Sequence, residues 1–333
     1  MSRYTVLVTD YAWPSLDLER EILAAVDAEL LVAETGEESE LVSLAPRADA
    51  ILTNWKRVPP ASLEAAPRCL VVSRFGVGLD NIPVELATKL GIVVTNVPGF
   101  CVEEVSDHAM ALLLACARRV VRFARATSGG AWGLELARGL PRLRGQTLGL
   151  VGLGGIARTL VPKAQGFGLD VLAYTPRLRR EDLPAGVRPA ASLEELLGAA
   201  DYVSLHAPAT PETLGLIGEA ELRAMKPTAY LVNTSRGALV DEKALVRAIE
   251  EEWIAGAALD VLAQEPPRRD HPLLGLDRVI VTPHAAFYSD AAISDLETRA
   301  ARNVADVLAG RLPPTIVNRE VLERPTLRLK LAD

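Results

Sequence analysis

Between residues 4 and 97, short apolar runs alternate with single amphipathic stretches. The runs are "YTVLVTD", "AELLVAE", "DAILTN", "CLVVSRFG" and "IVVTNV"; the spacers are "DLEREILAAV", "ESELVSLA", "PASLEAA" and "PVELATKLG". Runs apolar at nearly every position suit strands buried on both faces, and one helix between successive strands gives a parallel sheet with helices on each side. The pattern restarts at Gln146 with "QTLGLVGLG", "DVLAYTP", "DYVSLHA", "TAYLVNTS", "AGAALDV" and "RVIVTPH", with helices expected from Gly155, Ser192, Glu219 and Asp241. The fold class is therefore α/β, with two doubly wound parallel-sheet domains. Between them one long helix is predicted from Val102 to about Ala126, striped by Val105, Ala109, Leu112, Leu113 and Cys116. A last helix, about Asp290 to Ala309, precedes a polar tail.

The 333 residues, 49% apolar and 24% charged, suffice for two such cores. A net charge of −7 gives no general attraction to nucleic acid or anionic membrane, so an anionic ligand must be held by local basic groups. No apolar run approaches the roughly 18 residues of a bilayer span, and "MSRYTVLVTD" has no secretory pattern. Cys69, Cys101 and Cys116 lack metal-ligand spacing and read as reduced, buried thiols. The expectation is a cytoplasmic protein with no metal, no nucleic-acid partner and no membrane partner.

"LGLVGLGGIARTL" runs from a predicted strand through Gly152, Leu153, Gly154, Gly155, Ile156 and Ala157 into a predicted helix. A glycine turn in that setting suits a dinucleotide. Gly152 permits the tight turn, Gly154 lets the backbone approach a pyrophosphate, and the helix N-terminus presents N–H groups to the phosphates. At the end of the next strand, where NAD-selective sites carry an acid for the ribose, stands Thr175 in "YTPRLRR". No carboxylate there repels a 2′-phosphate, and Arg177, Arg179 and Arg180 follow. The site is expected to favour NADP(H) over NAD(H).

Four histidines exist. His108 lies within the long helix and is expected to be packed or interfacial; His271, in "DHPLL", is expected to be a turn residue. His206 in "SLHAP", followed by Pro208, ends a strand at the ligand edge, lining a cofactor or making a structural hydrogen bond. His284 in "VIVTPHAAF" reaches the same edge, where an imidazole can exchange a proton near neutral pH. Glu265 in "DVLAQEPP" and Arg236 in "NTSRGALVDEKAL" also follow strand ends. A carboxylate can orient the imidazole, and a guanidinium can clamp a substrate carboxylate through two hydrogen bonds.

"GLVGLGGIARTL", "LVNTSRGALVDEKAL", "GAALDVLAQEP" and "VTPHAAFYSD", in that order and with "SRFGVGLDNIPVE" before them, resemble the D-isomer-specific 2-hydroxyacid dehydrogenase family. "TPHAAFYSDAAI" is especially similar to its C-terminal-binding-protein branch of dinucleotide-responsive corepressors. The resemblance implies a flavodoxin-like substrate domain, residues 1–98 plus 290–333, and a Rossmann dinucleotide-binding domain, residues 99–289, with a cleft between them. It implies interconversion of a small anionic 2-oxo acid and a D-2-hydroxy acid. In that scheme Arg236 holds and polarises the substrate, Glu265 tunes the histidine, and His284 is the acid/base. Val77 and Gly78 would offer amides to the substrate carboxylate. Gly155, Ile156, Thr175, Thr234 and Asp260 would contact the dinucleotide, and a homodimer would form through the cofactor domain. Phe287 stands where the family commonly has a small residue, and suits a substrate with an aryl or thioether group. Lys56 and Arg74 are candidates for a second anionic group. The branch likeness implies an alternative: a dinucleotide-sensing assembly protein with little turnover.

Overall fold

The computed structural model describes residues 2–176 and 179–331. The chain divides into two compact units, Met1–Phe100 with Ser289–Asp333, and Cys101–Tyr288. In the first unit β1 (Tyr4–Val8), β2 (Ala28–Val32), β3 (Ala50–Thr53), β4 (Val71–Arg74) and β5 (Val93–Thr95) form a parallel sheet ordered β2-β1-β3-β4-β5. Side chains alternate across a strand, so Leu7, Ile51, Val72 and Val94 share a core with Leu41, Leu63 and Ile92 on one face. The helix Asp290–Leu308 lies against β3 and β4, where Ser73 Oγ donates to Ala300 O at 3.1 Å.

The second unit is a seven-stranded parallel sheet: β6 (Thr147–Val151), β7 (Asp170–Tyr174), β8 (Val187–Pro189), β9 (Tyr202–Leu205), β10 (Tyr230–Asn233), β11 (Gly256–Leu259) and β12 (Val279–Val281), ordered β12-β11-β10-β9-β6-β7-β8. Leu148, Leu150, Val171 and Val232 face the helices Val102–Ala117 and Gly155–Gly166. Val151, Leu172, Val203 and Leu231 face the core over helices Leu193–Ala199 and Glu242–Glu250. Both faces are buried, which is why these strands carry apolar residues in succession rather than alternation.

Three features depart from the sequence expectation. The long helix is two: it stops at Ala117, Arg119 takes φ 53°, and a second helix spans Val120–Ser128. No Gly or Pro marks the break. Arg119 Nη1 donates to Leu136 O at 2.6 Å and Arg138 O at 3.0 Å, a non-local contact that secures the left-handed residue. Strand β8 and the four-residue helix Pro272–Gly275 are too short to announce themselves by periodicity. The polar tail, whose course the sequence left open, is anchored: Ile316 bridges Thr95, and buried Asn318 bonds Val94 N, Ile92 O and Thr88 Oγ1 at 2.8–3.0 Å. That segment covers β5, the exposed edge of the first sheet.

Candidate active site

All seven strands of the second sheet run the same way, so their carboxyl ends share one edge. The strand order switches direction between β6 and β9, the place where open α/β sheets bind ligands. Gly152 ends β6 there with φ 95°, and a Cβ on it would lie 2.6 Å from His206 O. Only glycine allows both the turn and that approach. Gly154 precedes the helix Gly155–Gly166 with no side-chain cap, and nothing lies within 4 Å of a Cβ built on it. The first-turn N–H groups thus face open space beside a backbone that a phosphate can approach. Thr234 Oγ1, after β10, and His206 Nδ1, after β9, are buried without hydrogen-bond partners. Two orphaned polar atoms and an unfilled glycine cradle on one edge fit a dinucleotide bound along it. His206 Nε2 meets Ser204 Oγ at 2.9 Å, and burial pushes the imidazole down to about 4, so it stays neutral at physiological pH.

Ile156 is half-buried in the first helical turn, Thr175 half-buried just past β7, and Pro208 exposed beyond β9. Arg177 lies outside the described residues. Arg179 does not stand ready for a phosphate: its guanidinium pairs with Asp182 through bonds of 2.7 and 3.1 Å, with Glu181 at 3.7 Å. Arg158, one turn into the helix, reaches back to Leu153 O (3.1 Å) and across to Asp182 O (2.7 Å), tying the glycine turn to the loop after β7.

On the same edge three further strand ends carry the charged residues. His284 Nδ1 lies 2.6 Å from Glu265 Oε2, so the Nδ1–H donates to the carboxylate and Nε2 is left to exchange a proton. Glu265 Oε1 accepts from Leu262 N at 2.9 Å. Burial pushes the Glu265 carboxyl up, but the His284 hydrogen bond and charge, the Leu262 amide and the Arg236 guanidinium outweigh it and hold the group below the usual range. It is therefore an anion at neutral pH. Arg236 follows β10; Asn233 Nδ2 donates to its carbonyl at 2.9 Å, and its Nη1 donates to Ser235 O at 2.7 Å. A guanidinium, a carboxylate and an imidazole occupy neighbouring loops of one unit.

His284 sits at φ 53°, a conformation few non-glycine residues adopt. Asp260 holds it there. Its carboxylate accepts from Thr282 Oγ1 (2.5 Å), Ala285 N (3.0 Å) and Ala286 N (2.9 Å), and its carbonyl accepts from His284 N (2.8 Å). Asp260 is buried, so in this structure it clamps the loop that carries the imidazole. His108 is not merely packed: its Nε2 lies 3.0 Å from Thr282 Oγ1 and 3.5 Å from Asp260 Oδ1, joining the helix Val102–Ala117 to that clamp. The ring of Phe287 stands edge-on to His284, centroids 6.3 Å apart.

The first unit has its own candidates at the carboxyl ends of β3 and β4. Val77 is exposed and Gly78 half-buried. Arg74 turns into its own loop, its Nε donating to Asn81 Oδ1 at 3.1 Å and its Nη1 to Phe75 O. Lys56 Nζ is paired with Glu37 at 2.7 Å, which compensates its charge. Asp10, at the end of "VLVTD", shapes that loop by accepting from the amides of Asn54, Trp55 and Lys56 at 2.7–3.1 Å. Its position just after a strand is the signal, though an acid there reads as a simple turn residue. The three cysteines are buried and free, and burial pushes each thiol up to about 12. Among the described residues no helix is long and apolar enough to cross a membrane, and no three His, Cys, Asp or Glu are grouped to hold a metal.

Residues 110–286 match the family model of the D-isomer specific 2-hydroxyacid dehydrogenase, NAD binding domain. A glyoxylate reductase of Korarchaeum cryptofilum is 47% identical over 266 residues, covering 78% of this chain and 79% of its own. One from Pyrococcus horikoshii is 38% identical over 330 residues, covering 93% and 97%. The crystal structure of an NADPH-dependent glyoxylate/hydroxypyruvate reductase from Sinorhizobium meliloti, in complex with NADP and malonate, superposes with a TM-score of 0.85 at 30% identity over the full length of both chains. The chain belongs to the D-isomer-specific 2-hydroxyacid dehydrogenase family.

Proposed function

We propose that the protein is an NAD(P)-dependent reductase of small 2-oxo acids, yielding D-2-hydroxy acids, with glyoxylate as a first substrate to test. The observation that carries this is the His284–Glu265 pair at 2.6 Å, held beside Arg236 on the edge that carries the glycine turn. The likeness to glyoxylate reductases supports it. A dinucleotide held at the glycine turn and near Thr234 and His206 would supply the hydride. His284, protonated at Nε2, donates to the carbonyl oxygen as that oxygen gains charge, and Glu265 stabilises the imidazolium and fixes its ring. Arg236 opposes the oxyanion, a preorganised electrostatic contribution that water cannot match. The Val77 and Gly78 amides take the substrate carboxylate in this scheme. Phe287, edge-on to the imidazole, offers its ring to an aryl or thioether group on a larger 2-oxo acid.

NADPH is the proposed reductant, because Thr175 presents a hydroxyl where a carboxylate would repel the 2′-phosphate. The dimer is proposed to form through the cofactor unit, where the helix Val120–Ser128 buries none of its residues and Trp132 beyond it is 93% exposed. The decisive experiment is Arg236→Ala assayed with glyoxylate and hydroxypyruvate. Turnover should fall by about 100-fold or more with dinucleotide affinity retained; near-normal kcat would remove Arg236 from the mechanism.

A further inference from the structure

We propose that Glu242 and His271 are a positioning pair for the catalytic dyad: they hold the loop that carries Glu265 at the reach His284 requires. This rests on the reductase function proposed above. Residues 263–266, which include Glu265, are all exposed. Exposed loops are mobile unless tied, whereas a proton-handling pair must be kept within about 0.5 Å of its working geometry. Something outside the loop has to hold it.

The tie is visible. Glu242, at the start of the helix Glu242–Glu250, accepts from Ala263 N through Oε1 at 2.7 Å. Ala263 is two residues from Glu265, and its neighbour Leu262 donates to Glu265 itself at 2.9 Å. The other oxygen of Glu242 lies 3.2 Å from His271 Nε2, both side chains being 18% exposed. His271 is in turn fixed: it immediately precedes the helix Pro272–Gly275, whose Leu273 is fully buried in the core. Beneath the loop, a Cβ on Gly237 would lie 2.0 Å from the Leu262 carbonyl carbon, so the residue after Arg236 supports the same turn. One carboxylate therefore joins three segments: its own helix, the loop bearing Glu265, and the turn bearing His271. A charged acceptor on a backbone amide is stronger than a neutral one. His271 Nδ1 is buried and unpartnered, which leaves Nε2 to carry the proton that Glu242 accepts. An acid in the first turn of a helix is ordinarily a partner for the helix dipole; here its two oxygens are committed elsewhere.

The test compares Glu242→Ala with Glu242→Gln. The amide oxygen of glutamine still accepts from Ala263 N, and its NH2 donates to His271 Nε2 once the imidazole carries its proton on Nδ1, whereas alanine releases the loop. For Glu242→Ala, kcat on glyoxylate should fall about 10- to 100-fold, the cost of slight misplacement. Substrate KM and dinucleotide affinity should stay within about threefold, and Glu242→Gln should recover most of the loss. Independently of turnover, the downfield proton resonance of His284 Nδ1–H, hydrogen-bonded to Glu265, should persist in wild type and Glu242→Gln and broaden or vanish in Glu242→Ala. An alanine variant with unchanged kcat and unchanged resonance overturns the proposal. So does one whose dinucleotide affinity collapses in step with kcat. If Glu242→Ala does not fold, His271→Asn serves: loss of the resonance supports the pair, and its persistence overturns it. If wild type reduces no 2-oxo acid, the reductase function fails, while the resonance still decides whether Glu242 positions the dyad.

Discussion

At the scale of single residues, hydrogen bonding and burial act on charge in opposite directions. Glu265 remains an anion because a hydrogen-bonded imidazole, an amide and a guanidinium together outweigh the partial desolvation of its carboxylate. For Glu19, on the helix Asp17–Ala24, burial outweighs the lowering influence of its own backbone amide, Trp13 and Arg20. Glu19 is fully buried with both oxygens unpartnered, and burial, with Glu297 adding repulsion, pushes its carboxyl up to about 7. The folded state thus binds the proton more tightly than the unfolded chain. The contribution of Glu19 to stability is greatest below the unfolded pKa near 4.5, falls as pH rises to about 7, and is flat above. Glu19→Gln should abolish that fall, raising stability at pH 8 by about 1–3 kcal/mol with little change at pH 4; urea midpoints at the two pH values measure it. Thr175 offers a second test. Thr175→Asp should shift the NADPH-to-NADH ratio of kcat/KM toward NADH by about 10-fold or more, through repulsion of the 2′-phosphate. A wild type that uses NADH at least as well as NADPH would overturn the stated preference.

Among elements, the helices of the second unit show how local chemistry sets a boundary and distant contacts override it. Asp241 ends the loop after "NTSRGALV" and caps the helix Glu242–Glu250, its Oδ1 accepting from Lys243 N and Ala244 N at 3.0 and 3.1 Å. Asp241→Ala should lower unfolding stability by about 1 kcal/mol, read as a shift in denaturant midpoint without a change in slope. That start is legible in the residues themselves. The division at Arg119 is not: Val102–Ala117 and Val120–Ser128 read as one periodic run, and the carbonyls that fix Arg119 come from residues 136 and 138. The anchored tail is of the same kind, since nothing in a polar segment predicts that Asn318 will satisfy the edge of β5.

On the scale of the whole molecule, the proposed dimer rests on the exposed apolar residues of the second unit. Trp132 is 93% and Leu134 78% exposed, beyond a helix with no buried residue. Single exposed apolar residues are ordinary, but neighbouring ones of this size mark contact surfaces. Sedimentation velocity should give twice the chain mass for wild type and a shift toward monomer for Trp132→Ser with Leu134→Ser. A monomeric wild type would sink the proposed dimer. The same scale bears on a short match. "TPHAAFYSD" points to the corepressor branch, yet the relatives aligned over 266 and 330 residues are glyoxylate reductases. Nine residues around His284 are too short a stretch to separate branches of one family.

What the residues determined alone was everything governed by short-range physics: strands from runs of apolar residues, helices from their spacing, the glycine turn from its flanking strand and helix. Arg236, Glu265 and His284 stood out for the same reason, each a charged or titrating group just past a strand, where a parallel sheet presents its ligand edge. Tertiary structure decided which groups share a hydrogen bond. Arg179 and Lys56 look available in sequence but are neutralised by Asp182 and Glu37. Glu242 looks like a helix-start acid but holds a loop twenty-one residues away. Charge pairing depends on separations of a few ångströms, and residues far apart along the chain reach that range only after folding.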